Sequence, residues 1–229
     1  MFKIVTTAKS SKDSVTKYII EDAVFGKNEI SVLRKDTKDV IVLPSQTNCK
    51  MGCVFCHLTG TTRKAHNLTS FWLAEAVQFI KDDTGLGSRD LLISFMGAGE
   101  PLLNVNRVLD GILDISKRSS RTKFGIATML PNKPALEKIQ KWSLEHPSVS
   151  IKLHLSVHGI QSRSQIINSS LSAEESIKCL QQYSKVTGMP IEYHYTLVNG
   201  VNDSHSELME FSRLASEAPA TVKFLELSE

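Results

Sequence analysis

The feature that most constrains this chain is a strict alternation of short apolar runs with amphipathic stretches. Residues 39–43, 91–96, 123–128, 150–157, 191–198 and 222–227 are β-branched or apolar and of strand length. Between them lie five stretches with helical periodicity. Thr69 or Ser70 can cap the first, in which Leu73, Val77 and Ile80 recur at four and three residues and leave Glu75, Lys81 and Asp82 to solvent. The next two cover about 105–116 and 134–142, with Pro134 where a first turn tolerates it. Ser172-Ala-Glu-Glu175 and Ser204-His-Ser-Glu207 fit the capping-box pattern and begin the last two. Strands joined by helices pair in parallel through right-handed crossovers, so the fold class is α/β. Ahead of this pattern, Lys17-Tyr-Ile-Ile-Glu21 and Glu29-Ile-Ser-Val-Leu33 flank Gly26-Lys27-Asn28, which predicts a β-hairpin. Residues 1–37 are therefore expected to be an extension and 38–229 the core.

With 229 residues, 41% hydrophobic and 22% charged, the chain can bury one core. It has no run of about 18 apolar residues that would span a bilayer. Its first residues, Met-Phe-Lys-Ile-Val-Thr-Thr, lack a secretory apolar core. A cytoplasmic location, where thiols stay reduced and no membrane is engaged, is the expectation. A net charge of +3 neither demands nor excludes a nucleic-acid partner, and nothing in the sequence fixes the oligomeric state.

Three of the four cysteines lie in Cys49-Lys-Met-Gly-Cys53-Val-Phe-Cys56, directly after the first core strand. Parallel α/β folds place their sites at the carboxyl ends of strands, so this loop is well positioned for chemistry. Structural zinc normally takes four protein ligands, whereas a 4Fe-4S cluster can be held by three thiolates with one iron left open. A zinc knuckle completed by His57 or His66, or a disulfide, are the alternatives. The second motif, Phe95-Met-Gly-Ala-Gly-Glu-Pro-Leu-Leu-Asn104, follows the second core strand. Its glycines allow close backbone approach, and a carboxylate beside exposed amides can grip an ammonium. In the fourth core strand His154, Ser156 and His158 share one face and aliphatics the other. In the fifth, Glu192, His194 and Thr196 alternate with Tyr193, Tyr195 and Leu197, and periodicity alone does not say which set faces inward.

The cysteine spacing, with Phe55 before the last ligand, resembles the signature of the radical S-adenosylmethionine (radical SAM) superfamily. That resemblance implies a partial (β/α)6 barrel with the N-terminal hairpin as an extension. It also implies a 4Fe-4S cluster on Cys49, Cys53 and Cys56, and S-adenosyl-L-methionine (SAM) chelated by the open iron. Reductive cleavage of SAM then yields methionine and a 5'-deoxyadenosyl radical, with electrons from a protein such as flavodoxin or ferredoxin. Pro44-Ser-Gln-Thr-Asn-Cys49, Phe95–Asn104, Leu155-Ser-Val-His158, Ile191-Glu-Tyr193 and Gly200-Val-Asn-Asp203 are similar, in order and spacing, to segments of radical SAM methyltransferases that methylate adenosine carbons in RNA. On that resemblance Gly99 and Glu100 bind the SAM amino group, although Ala98 replaces a commoner glycine. Ser156 and Asn202 contact its ribose or methionine moiety, Thr128 keeps a polar contact, and Phe55 belongs to the cofactor loop. His154, His158 and Glu192 are substrate-side candidates.

Those methyltransferases use two further cysteines. One lies seven residues before the first cluster ligand, where this chain has Val42. The other lies near the C-terminus, and the chain ends at Glu229 before it could occur. The family's N-terminal RNA-binding domain is absent too. The spare thiol, Cys179, falls in a helical segment. The expectation is therefore hydrogen abstraction from a substrate, a nucleotide or nucleic-acid base by analogy, rather than methyl transfer through a protein thiol. The alternatives are an RNA methyltransferase-like enzyme that needs a partner's thiol, and a noncatalytic iron-sulfur or zinc-binding module.

Overall fold

A computed structural model describes residues 1–226. It contains nine strands and six helices that fall into two compact units, residues 1–49 with 62–126 and residues 50–61 with 127–229.

In the first unit, β1 (Lys3–Lys9), β2 (Val15–Asp22), β3 (Gly26–Arg34) and β4 (Lys38–Val42) form an antiparallel meander. The anticipated hairpin is β2–β3, with Asp22 Oδ1 accepting from Val24 N and Phe25 N at 2.7 and 2.9 Å to shape its turn. A third strand, β1, extends it on the outer side. From β4 onward pairing is parallel, to β5 (Asp90–Phe95) and then β6 (Thr122–Thr128), in a register that sets Ile41 beside Ile93 and Ile93 beside Phe124. Two helices cover these strands. Helix α1 (Ser70–Thr84) is capped by Thr69, whose side chain accepts from Trp72 N, and ends at Gly85 in the left-handed region that glycine tolerates. Its Leu73, Val77 and Ile80 are buried as the periodicity requires. Helix α2 (Val105–Arg118) meets α1 at Gly111, where a Cβ would stand 3.2 Å from Leu73 Cδ1. Any larger residue there would push the helices apart.

In the second unit, β7 (Ile151–Ser156), β8 (Ile191–Leu197) and β9 (Thr221–Glu226) are parallel neighbours. The expected last strand, 222–227, is β9 except for Leu227, which lies outside the described residues. Helices α3 (Lys133–Glu145), α5 (Ala173–Thr187) and α6 (His205–Ala215) are the anticipated ones, and α4 (Arg163–Ile166) is a single turn too short for periodicity to reveal. Tyr193 and Tyr195 pack on Phe211 of α6. This settles the facing of β8: its tyrosines go to the helices, and Glu192, His194 and Thr196 share the other face with His154 and Ser156 of β7, to which Glu192 and His194 are registered.

The two capping motifs diverge. Ser172 and Glu175 form the reciprocal box at α5. Ser204 caps α6, but Glu207 does not return to it. The Glu207 carboxylate is buried and accepts from Ile160 N (2.6 Å), Gln161 N (3.3 Å), Ser162 N (3.1 Å) and Ser162 Oγ (2.5 Å). Four donors on one carboxylate outweigh one frayed helix end, so the loop after β7 claims the side chain.

Candidate functional site

The sequence-derived residues divide between the units, with Cys49, Gly99 and Glu100 in the first and Cys53, Phe55, Cys56, Thr128, His154, Ser156, His158, Glu192 and Asn202 in the second. In the first unit, the strand extensions beyond β4 and β5 touch backbone to backbone. Leu43 N donates to Ser94 O at 2.8 Å, Gly97 N to Leu43 O at 3.1 Å, and Ser45 N to Ala98 O at 2.8 Å. A Cβ on Gly97 would stand 2.9 Å from the carbonyl carbon and oxygen of Leu43, and one on Gly99, whose φ is +100°, would stand 2.7 Å from Ser45 Oγ and Gln46 Cβ. Glu100 is buried and starts the 3-10 turn Pro101–Asn104, with Oε1 accepting from Leu102 N at 3.0 Å. Its own N–H donates to Gln46 Oε1 at 3.0 Å.

Gln46 and Asn104 lie within the motif segments but were assigned no role of their own, and both knit this element together. Gln46 Nε2 donates to Asn67 Oδ1 at 2.7 Å, and Asn104 Nδ2 to the carbonyls of Ser45 and Leu68 at 2.8 and 2.9 Å. The segment that ends at Cys49 is tied down across the base of the cysteine loop. Thr47 N donates to His66 O at 2.9 Å, Thr47 Oγ1 to Lys64 O at 2.9 Å, and Asn48 Nδ2 to Arg63 O at 2.5 Å. Beside this closure lies a cavity of about 450 Å³ lined by Phe25, Thr47, Arg63, Lys64, His66 and Arg107, among others, and by no acidic residue. Arg63 is held by Phe25 O and Asn28 Oδ1 and Arg107 by Asn67 O, so both guanidinia are pre-positioned without a carboxylate partner among the described residues.

In the second unit, the cysteine loop is a chain of tight turns. Gly52 has φ +66°, Cys56 N donates to Cys53 O at 3.0 Å, and Thr59 Oγ1 donates to the same carbonyl at 2.7 Å. Val54 N donates to Ile166 O at 3.0 Å, which fastens the loop to α4. The Phe55 ring meets His158 edge-on with centroids 5.0 Å apart. None of the four cysteines is in a disulfide; Cys53 is buried and Cys49 and Cys56 are half-buried. Cys179 lies in α5, where burial raises its pKa, the opposite of what a reactive thiol needs.

His158 is a non-glycine residue in the left-handed region, φ +53°. Its Nδ1 accepts from Thr196 N at 2.9 Å, which assigns the proton to Nε2. Burial, followed by Arg163 and His194, lowers its pKa to about 3, so the ring is neutral. Asn202, fully buried, donates from Nδ2 to His158 O and Thr196 O at 2.8 and 2.7 Å and accepts from Val198 N at 2.7 Å. Both amide protons thus serve the turns that hold His158. Thr128 Oγ1 accepts from Leu130 N at 2.8 Å and supports Leu130 at φ +56°. Ser156 is half-buried, and its carbonyl is held by Arg163.

Deeper on the same face, Glu192 collects four donors: Lys152 Nζ at 2.6 Å, His194 Nε2 at 2.7 Å, Lys223 Nζ at 2.9 Å and His154 Nδ1 at 3.0 Å. Burial pushes its pKa up, but hydrogen bonds from Lys152, His194 and Lys223 outweigh that and hold it well below the usual carboxylate range. Burial lowers His154 to about 4 and lowers His194 as well, so a neutral histidine pair flanks an ionised carboxylate. The ligating atoms of His154, Glu192 and His194 lie within 4.8 Å of one another, a set of metal-ligand type. Two lysine ammoniums already neutralise the carboxylate, which disfavours a cation there. Lys152 of β7 and Lys223 of β9 were given no role in the sequence reading, whereas His194 was placed by the period of two on one face with Glu192 and Thr196.

No family model matches the chain. The dual-specificity RNA methyltransferase RlmN of Pelobacter propionicus is 26% identical over 229 residues, covering 95% of this chain and 62% of that protein. Among solved structures, a radical SAM methyltransferase from Sphaerobacter thermophilus matches with a TM-score of 0.82 at 22% identity, over 100% of this chain and 67% of that one. SuiB of Streptococcus suis, bound to S-adenosylmethionine, matches with a TM-score of 0.56 at 16% identity, over 84% of this chain and 39% of that one. Fold and cysteine motif together make the chain similar to radical SAM enzymes. Its sequence is similar to RNA methyltransferases named RlmN, and it spans about three fifths of such a relative's length. No helix among the described residues is long and apolar enough to cross a membrane.

Proposed function

We propose that the chain is a radical SAM enzyme that abstracts hydrogen from a nucleotide or nucleic-acid base. The carrying observation is that one chain holds both a disulfide-free three-cysteine loop and a carboxylate set behind two glycines that admit no side chain. A structural zinc or iron-sulfur module has no use for the second element. Three thiols at spacings of four and three residues, none of them in a disulfide, suit a 4Fe-4S cluster with one iron left open. Cys49, Cys53 and Cys56 would hold it, and Gly99 and Glu100 would receive the amino group of SAM. Together cluster and SAM would supply one-electron cleavage of the sulfonium to a carbon-centred radical, the electron coming from an external donor such as flavodoxin or ferredoxin.

The protein's own groups do the rest. Gln46 aims the Glu100 turn by holding its N–H. Neutral His158 offers Nε2–H as a donor beside Phe55 and is fixed in place by Asn202 and Thr196. Ser156, His154 and the Glu192 network form a polar face suited to a heteroaromatic substrate with several hydrogen-bonding edges. The acid-free cavity with Arg63, Lys64 and Arg107 is suited to phosphodiester oxygens, which supports a nucleic-acid rather than a peptide substrate. Valine at position 42 closes the route through a methylated thiol at that place, since it offers no nucleophile.

The test is anaerobic reconstitution with iron and sulfide, then incubation with SAM and dithionite. Methionine and 5'-deoxyadenosine should form, and each Cys→Ala change at 49, 53 or 56 should abolish both cluster absorbance and cleavage. S-adenosylhomocysteine together with S-methylcysteine on the protein would return the chain to thiol-mediated methyl transfer.

A further inference from the structure

Arg163 is a buried charge with no carboxylate partner among the described residues. It is 3% exposed. Nη1 donates to the carbonyls of Ser156 and Val157, both at 2.6 Å, and Nη2 to that of Met129 at 2.7 Å. Its Nε–H is buried and has no acceptor. Placing an uncompensated cation in a low-dielectric interior costs several kcal/mol, and carbonyl dipoles offset only part of that. A fold that needed only a clip for three carbonyls could use neutral donors. The charge is therefore the part that requires a reason.

The surroundings supply one. Arg163 opens α4, and the end of that turn, Ile166 O, receives Val54 N from the cysteine loop at 3.0 Å. The residues on either side of Val54 are Cys53 and Phe55, and Phe55 packs on His158, the residue directly after the carbonyls that Arg163 grips. The Cys53 thiol acts electrostatically on the guanidinium and favours its charged form, against the burial that disfavours it.

We propose that Arg163 is the fixed counter-charge of the cluster bound through Cys53 and raises its reduction potential, an inference that rests on the cluster reading above. Three thiolates outweigh the formal charge of a 4Fe-4S core, so the ligated unit is anionic. Uptake of one electron from an external low-potential reductant adds one negative charge and breaks no bond to the protein. A cation held at fixed distance in a medium of low dielectric favours the more negative form. Nothing about Arg163 titrates in this role, and its fork on three carbonyls prevents it from swinging out to solvent. It is a tuning and positioning residue.

The experiment is a potentiometric titration followed by electron paramagnetic resonance on the anaerobically reconstituted full chain, comparing wild type with Arg163→Met, Arg163→Gln and Arg163→Lys. Neutral substitutions should shift the reduction equilibrium toward the oxidised form by about tenfold, which is about 59 mV for one electron. Lysine, which keeps the charge and loses the fork, should stay near wild type. A structural clip would give the reverse: three variants that are destabilised alike, with unchanged midpoints. If the neutral variants take up no iron and sulfide while the lysine variant does, the charge role stands. If all three fail to load, the fork geometry is what matters and the proposal falls. Equal midpoints in loaded wild type and Met variant overturn it and leave the cluster reading intact, whereas a wild type that takes up no iron and sulfide removes both.

Discussion

Replacing Gly99 by alanine asks whether the turn after β5 is built on close backbone approach. Two costs are separable there. A residue with a Cβ at positive φ costs about 1–2 kcal/mol, and Gly99 sits at +100°. Overpacking typically adds about 1–3 kcal/mol, and here the new carbon would stand 2.7 Å from Ser45 Oγ and Gln46 Cβ. Gly188→Ala, at the end of α5 with φ +69° and nothing within 4 Å, carries only the first cost. Gly97→Ala carries only the second, against backbone atoms of Leu43 and Pro44 at 2.9 Å that cannot rotate away. The sum predicts a loss of about 2–5 kcal/mol for Gly99→Ala, against about 1–2 for Gly188→Ala and about 1–3 for Gly97→Ala. Urea denaturation at constant pH measures all three, and in melting temperature each kcal/mol is worth about 2–4 °C at this chain length. Because the displaced Gln46 side chain holds Glu100 N–H, SAM affinity should fall in Gly99→Ala and not in Gly188→Ala. If Gly99→Ala costs no more than Gly188→Ala, the side chains of Ser45 and Gln46 yield freely and the cradle is not tight.

Glu100→Gln keeps an oxygen for Leu102 N–H but loses the charge, so SAM binding measured by calorimetry should weaken by on the order of 1.5–3 kcal/mol with iron content unchanged; equal affinity removes Glu100 from the SAM contacts. Arg63→Ala and Arg107→Ala should each lower the slope of log affinity against log salt by about 0.7 for single-stranded RNA, and slopes identical to wild type would exclude that cavity from phosphate binding. Stability should fall with acidification between about pH 6.5 and 4, each neutral buried histidine contributing up to about 1.4 kcal/mol per pH unit. The sign follows from the depressed values, about 4 for His154 and about 3 for His158: the unfolded chain takes up protons that the folded chain refuses, so their contribution is complete above the unfolded pKa and is lost as pH falls. Urea midpoints that stay level from pH 7 to 5 would show that these rings charge inside the fold.

What the sequence disclosed and what it hid divide along physical lines. The alternation of apolar runs and amphipathic helices was legible because burial on one face imposes a period, and Thr69, Ser172 and Ser204 announced helix starts because a cap needs a short acceptor side chain. β1 was missed because its residues are largely exposed and carry no alternation. Glu207 was read as half of a capping box because local spacing was its only signal, whereas its donors come from residues more than 40 positions earlier in the chain. Arg163 gave no signal either: a single arginine in a polar stretch reads as a solvated side chain, and only the fold shows that it grips three carbonyls with no carboxylate partner among the described residues. The cysteine loop and Gly99-Glu100 were legible because cluster ligation and close backbone approach each need a particular residue type at a particular spacing. Gln46 and Asn104, which brace the turn at Glu100, act through backbone amides and carbonyls, and a contact to backbone leaves no residue-type signature at the other end. Residues that would touch cofactor are thus announced by sequence, while the residues that aim them become visible only in three dimensions, and Arg163 belongs to the second kind.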